Sequence, residues 1–170
     1  PGIEDWPFQL RVRALGPFEV WRDGELIEFT KKAQQKPFDL LKAIITLGGA
    51  NICERVIADM LWPQAEGDAA HSAFATTLHR LRQLIGPDNL LQLRNGRLTL
   101  DAKRCWVDSW ALEASLKQAK ELFRTGRPDR GIKHLDRAIE FYKGDFLSLD
   151  HNAWSVQARD KIRDGVCKAI

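Results

Sequence analysis

The stretch DAAHSAFATTLHRLRQLIG, residues 68–86, constrains more than any other what this chain can fold into. An aspartate opens it where a helix N-cap is expected, and Gly86-Pro87 closes it as a helix stop. Phe74, Leu78, Leu81 and Ile85 recur at three- and four-residue spacing, which predicts one apolar stripe on a helix over 68–85. Ser72, Thr76, His79, Arg80 and Gln83 gather on the opposite face. Each can donate or accept hydrogen bonds, and none is acidic. A helix buried on one side and lined on the other with such side chains suits the major groove of DNA, where base edges present donors and acceptors. Taken alone, the helix also reads as an ordinary solvated amphipathic helix.

The segment LLQLRNGRLTL, residues 90–100, weighs against that plainer reading. Leu91 and Leu93, then Leu98 and Leu100, alternate with polar residues, and Asn95-Gly96 between them is the dipeptide of a type I′ hairpin turn. Arg94 and Arg97 flank the turn. A hairpin tipped with arginine directly after a recognition-type helix predicts a winged helix. Arg94, Asn95 and Arg97 are then expected beside the duplex, in reach of phosphates or the minor groove. Arg82 falls nearer the edge of the apolar stripe and is expected to contact phosphate or to serve as an intramolecular partner. The alternative for this segment is a plain hairpin with solvated charges.

Short antiparallel strands are predicted across 8–29. Phe8, Leu10, Val12 and Ala14 alternate with Gln9, Arg11 and Arg13; Gly16-Pro17 interrupts; FEVWR resumes; Asp23-Gly24 signals a second hairpin. A helix follows within 30–49, with Pro37 in its first turn, a stripe of Phe38, Leu41, Ile44 and Ile45, and Gly48-Gly49 as its stop. Lys31, Lys32 and Lys36 cluster at its start, where free N–H groups and the positive dipole end favour phosphate. Solvated lysines are the plainer account. A short helix ERVIADMLW then turns Val56, Ile57, Met60 and Leu61 inward and ends at Pro63, and PQAEGDA leads from it to the long helix. The pair forms a helix-turn-helix with a stretched turn.

Beyond Val107 the pattern changes. Asp108 is placed to cap a helix over 108–126, Gly126 to Asp129 turn the chain, and DRGIKHLDRAIEFY returns as a second helix with Ala119 and Ala138 at the crossing. A third helix is predicted from Trp154 to Ile170. This is the size of one tetratricopeptide repeat plus one helix, fewer than such stacks need, and the expectation is a fragment of a longer protein.

Composition removes several classes. The 170 residues are 44% hydrophobic with six Trp, a packed globular chain. The longest uncharged apolar run, 43–53, is far short of a membrane span, and with no basic-then-apolar run in its opening residues no signal peptide is expected there. Cys53, Cys105 and Cys167 are odd in number and widely spaced, which predicts reduced thiols and a cytoplasmic location, with no zinc site. His71, His79, His134 and His151 form no metal spacing, and there is no phosphate-binding glycine loop and no nucleophile elbow. No catalytic residues, no metal and no cofactor are predicted: the chain is not read as an enzyme. A net charge of +3 leaves any DNA affinity to where the charges sit.

The strands LRVRALGPFEV, the helix KPFDLLKAIITLGG, the segment RVIADMLWP, the helix TLHRLRQLIG and the hairpin ending in CWVDSWALEA carry a resemblance across nearly the whole chain. It resembles the OmpR/PhoB-type winged helix as found in the antibiotic-regulatory-protein (SARP) class of bacterial transcriptional activators. The region after it resembles the opening of their bacterial transcriptional activator domain. The resemblance implies an α+β fold: a winged helix-turn-helix with an N-terminal antiparallel sheet and a hairpin wing at 91–100, over 1–107, then an all-α TPR-like segment over 108–170. It implies a sequence-specific DNA-binding activator. Ser72, Thr76, His79, Arg80 and Gln83 would contact bases; Lys31, Lys32, Lys36, Arg82, Arg94, Asn95 and Arg97 would contact phosphate or minor groove. It further implies binding to direct repeats of double-stranded DNA as paired copies of the chain. RNA polymerase subunits would meet the connection at 63–67. The rival reading is a winged-helix and TPR-like protein-interaction module that does not bind DNA, since a fold does not by itself dictate function.

Overall fold

Alternation over 10–14 is realised as burial: Leu10, Val12 and Ala14 are all fully enclosed. In the computed structural model, residues 8–28, 34–86 and 89–169 are described. The elements run β1 (Leu10–Arg13), β2 (Glu19–Arg22), β3 (Glu25–Leu26), α1 (Gln35–Thr46), β4 (Ile52–Cys53), α2 (Glu54–Leu61), α3 (Gly67–Ile85), β5 (Leu91–Arg94), β6 (Arg97–Leu100), β7 (Cys105–Val107), α4 (Asp108–Arg124), α5 (Pro128–Phe141) and α6 (Ala153–Ala169). The fold is α+β. One sheet has strand order β3-β2-β1-β7 and the other β4-β6-β5. Both turn dipeptides do what their chemistry requires: Asp23 and Gly24 have φ of 50° and 86°, Asn95 and Gly96 of 51° and 67°.

The chain forms two compact units, one of residues up to Arg11 with Val20–Cys105, the other of Val12–Glu19 with Trp106–Ile170. In the first, α1, α2 and α3 pack on one another. Phe38, Leu41, Ile44 and Ile45 of α1, Ile57 and Leu61 of α2 and the stripe Phe74, Leu78, Leu81 and Ile85 of α3 are all buried in this three-helix unit. β5 and β6 pair antiparallel with Leu91 opposite Leu100 and Arg94 opposite Arg97. β4, which two residues are too few to announce by periodicity, pairs with β6 through Ile52–Leu98 and Cys53–Arg97.

Three local expectations need correction. Asp68 is not the cap of α3: the helix begins at Gly67 behind Glu66, no side chain caps it, and Asp68 lies in the first turn, where its charge still complements the dipole. The connection from α2 accordingly shortens to 62–66. Val56 does not face inward but is 45% exposed, because α2 buries the face of Ile57, Ala58 and Leu61.

Asp108 is the third, and it shapes the second unit. It occupies the first turn of α4 rather than the cap position, and its buried carboxylate is shared. Oδ1 accepts from the amides of Ala14 (2.8 Å) and Ser109 (2.7 Å), and Oδ2 from that of Leu15 (3.0 Å). The same Val12–Glu19 segment bridges Leu15 to Phe146, donates from the Gly16 amide to the Asp145 carbonyl, and accepts at Ala14 from the Leu147 amide. A Cβ on Gly144 would stand 3.1 Å from the Gly16 Cα, so glycine permits this close approach. Residues 12–19 thus belong with the helical unit although they lie far from it in sequence. Arg159 of α6 donates to the carbonyls of Phe146, Leu147 and Asp150 and so satisfies a loop that has no ladder of its own. Ala119 and Ala138 are both buried where α4 and α5 pack.

Burial pushes the Cys105 thiol far up, with Asp101 adding to the rise, whereas Cys167 is exposed. A thiol reagent attacks only the thiolate. Alkylation of the native protein followed by intact mass is therefore expected to modify Cys167 first and to spare Cys105 until denaturant is added. Labelling of both at one rate would show that β7 opens freely.

Candidate nucleic-acid interface

Helix α3 presents one row built by spacing alone. Ser72, Thr76, His79 and Gln83 follow one another at four, three and four residues, which keeps them on one line of the helix. All are exposed, as is Arg80 beside them. The row is tied internally: His79 Nε2 and Gln83 Nε2 lie 3.2 Å apart, one turn from each other. Ala69 and Ala75 are exposed on the same side, methyl-sized surfaces of the kind that meet thymine methyls, and polarity-based reading of the sequence passes them over. Charge is graded along the helix. Glu66 and Asp68 stand exposed at its start and Arg80 toward its end.

The hairpin is held at each part. The Leu100 amide donates to the Gly49 carbonyl (2.7 Å) and the Asn51 amide to Thr99 Oγ1 (2.9 Å), fixing its base to the segment after α1. At the tip, the Glu54 amide donates to the Gly96 carbonyl at 2.9 Å. The Glu54 carboxylate also lies 3.5 Å from His71 Nδ1 on α3. Arg94 and Asn95 are exposed at the turn, and Arg97, also exposed, donates from Nη1 to the Asn51 carbonyl at 3.3 Å.

Two further expected contacts have partners inside the protein. Lys36 Nζ donates to the Leu61 carbonyl (3.3 Å) and sits 5.7 Å from the centre of the Trp62 ring, so it staples the start of α1 to the end of α2. Arg82 is half-buried, and Nε and Nη2 both donate to the Leu91 carbonyl, at 3.0 and 2.9 Å. Lys31 and Lys32 lie outside the described residues. One residue with a part in this unit was absent from the sequence expectations: Arg22 donates from Nη1 to the Leu84 carbonyl at 2.9 Å, anchoring the last turn of α3 to β2. Nothing local marks it, since its partner is 62 residues away. Among the described residues no group of His, Cys, Asp and Glu could hold a metal ion, and no helix is long and apolar enough to cross a membrane.

No family model matches the chain. It is 26% identical over 148 residues to the regulatory protein AfsR of Streptomyces coelicolor, covering 87% of this chain and 15% of that protein. AfsR of Streptomyces griseus is 21% identical over 164 residues, covering 96% and 16%. The fold is similar to that of Mycobacterium tuberculosis EmbR, solved in complex with a low-affinity phosphopeptide, with a TM-score of 0.72 and 18% identity over 94% of this chain and 43% of that one. The SARP-type likeness is borne out. The two AfsR proteins are regulatory proteins by name, and the chain spans only about 15–16% of their length. The likeness to EmbR, at 18% identity, is one of fold.

Proposed function

We propose that the chain is the DNA-binding part of a transcriptional activator, with α3 reading bases in the major groove and the β5–β6 wing lying on the backbone. The observation that carries this reading is the exposed row Ser72, Thr76, His79 and Gln83, with Arg80 beside it and no carboxylate after Asp68, in one compact unit with an arginine-tipped wing. Side chains of this kind pair with base edges, and arginine is the commonest reader of guanine. Arg94, Asn95 and Arg97 supply backbone or minor-groove contacts, joined by Lys36 and by Lys31 and Lys32. By its likeness to SARP-type regulators, the chain would bind direct repeats as paired copies and meet RNA polymerase subunits through 63–67. The helices from Asp108 on would supply protein contacts. No enzymatic step enters this proposal.

Gel shifts on random and selected duplexes across a salt series test it. Binding whose affinity falls linearly with the logarithm of salt supports DNA recognition. Absence of binding at low salt would leave the protein-interaction reading standing. Within the same series, Arg94→Ala is expected to weaken binding to every sequence alike and to lower the salt slope by about one unit. An unchanged slope would remove Arg94 from the backbone contacts.

A further inference from the structure

We propose that Arg82 is a positioning residue, which sets the wing against α3 so that both engage one duplex in a fixed register. The inference rests on the DNA-binding reading and adds a residue that acts through another group rather than on DNA.

Its basis is the ladder. Leu91 opens β5, the outer strand of the β4-β6-β5 sheet. The Asp101 amide donates to the Leu90 carbonyl at 2.8 Å, and Leu91 stands opposite Leu100. Hydrogen-bonded and non-hydrogen-bonded pairs alternate in an antiparallel ladder, so Leu91 turns its own amide and carbonyl outward, away from β6. An outward carbonyl on an edge strand needs a partner from elsewhere in the fold or from solvent. Arg82 supplies it with a two-nitrogen fork from α3. The opposite side of the hairpin is held by β4, and its tip by the Glu54 amide on Gly96. With both sides tied, the wing keeps one angle to the helix. Arg82 is the only tie among the described hydrogen bonds that runs directly from α3 to β5.

A phosphate-binding Arg82 would have to release Leu91. The two roles separate in the salt series. Applied to the full chain, Arg82→Ala is expected to reduce the ratio of specific to random DNA affinity by about tenfold, as loss of a charge-assisted hydrogen bond implies, with the salt slope unchanged. Arg82→Lys keeps the charge but not the planar fork, and is expected to recover only a small part of the ratio. Hydrogen exchange is expected to quicken at the amides of β5 and β6 in both variants while α3 stays protected. A salt slope lower by one unit in Arg82→Ala, restored by Arg82→Lys, would overturn the proposal in favour of phosphate contact. Unchanged wing exchange would overturn it as well. Should the unsubstituted chain fail to bind DNA, the DNA reading falls, while the exchange measurement still decides whether Arg82 holds the wing.

Discussion

Asp108→Ala is expected to cost about 3–5 kcal/mol of stability, among the largest effects of any single polar substitution in this chain. The carboxylate is the acceptor for the amides of Ala14, Leu15 and Ser109, inside a region where water does not replace it. An unsatisfied buried amide costs about 1–3 kcal/mol, and Ala leaves all of these without an acceptor. Asp108→Asn is expected to fall between: one oxygen still serves Ala14 and Ser109, but the amide nitrogen then confronts the Leu15 N–H. Denaturant titration followed by circular dichroism reads both. A cost under about 1 kcal/mol for Ala would mean that residues 12–19 find other acceptors.

The same group sets a pH test. Burial raises the Asp108 carboxyl above its ordinary 3.8, while the Ala14, Leu15 and Ser109 amides and then Arg13 pull it back only in part. A folded-state value above the unfolded one means that the folded chain holds the proton more tightly. The group's favourable contribution is then fully present below pH 3.8 and is lost as pH rises through the raised value. The stability of the unsubstituted protein relative to Asp108→Asn is expected to decline as pH rises through that window and to be flat above it. An increase with pH would show that the amides outweigh burial. A chain cut after Val107 loses Asp108, Asp145 and Phe146 together. The amides of Ala14, Leu15 and Gly16 in such a fragment are expected to exchange freely, even where α1, α2 and α3 remain folded.

Arg80→Ala is expected to flatten base preference at one position of each half-site, worth about 1–3 kcal/mol there, as removal of a bidentate guanine contact does. The side chain is exposed beside the row on α3, three residues before Gln83 and four after Thr76. Gln83 is engaged with His79, and an exposed arginine with its five-donor fork is the stronger reader of the two. Selection from a random duplex pool, for the unsubstituted chain and for Arg80→Ala, gives the position-by-position preference. Equal loss on selected and random duplexes would place α3 along the backbone instead of in the groove.

What the sequence determined by itself was local. The stripe Phe74, Leu78, Leu81, Ile85 and the row opposite it follow from the helical repeat, and Asp23-Gly24 and Asn95-Gly96 turn the chain because those residues tolerate positive φ. Helix type and order were legible for the same reason, down to the small residues Ala119 and Ala138 between α4 and α5. Tertiary structure alone decided where the polar ends go. Asp108 reads as an ordinary helix cap until the fold brings Ala14 and Leu15 to it across more than 90 residues. Arg82 reads as a phosphate contact or an internal partner until the β5 edge turns the Leu91 carbonyl toward it. β4 and the Arg22–Leu84 bond have no period and no motif. Periodicity records which face of an element is buried, whereas a hydrogen bond between distant segments depends on a direction that only the assembled backbone supplies.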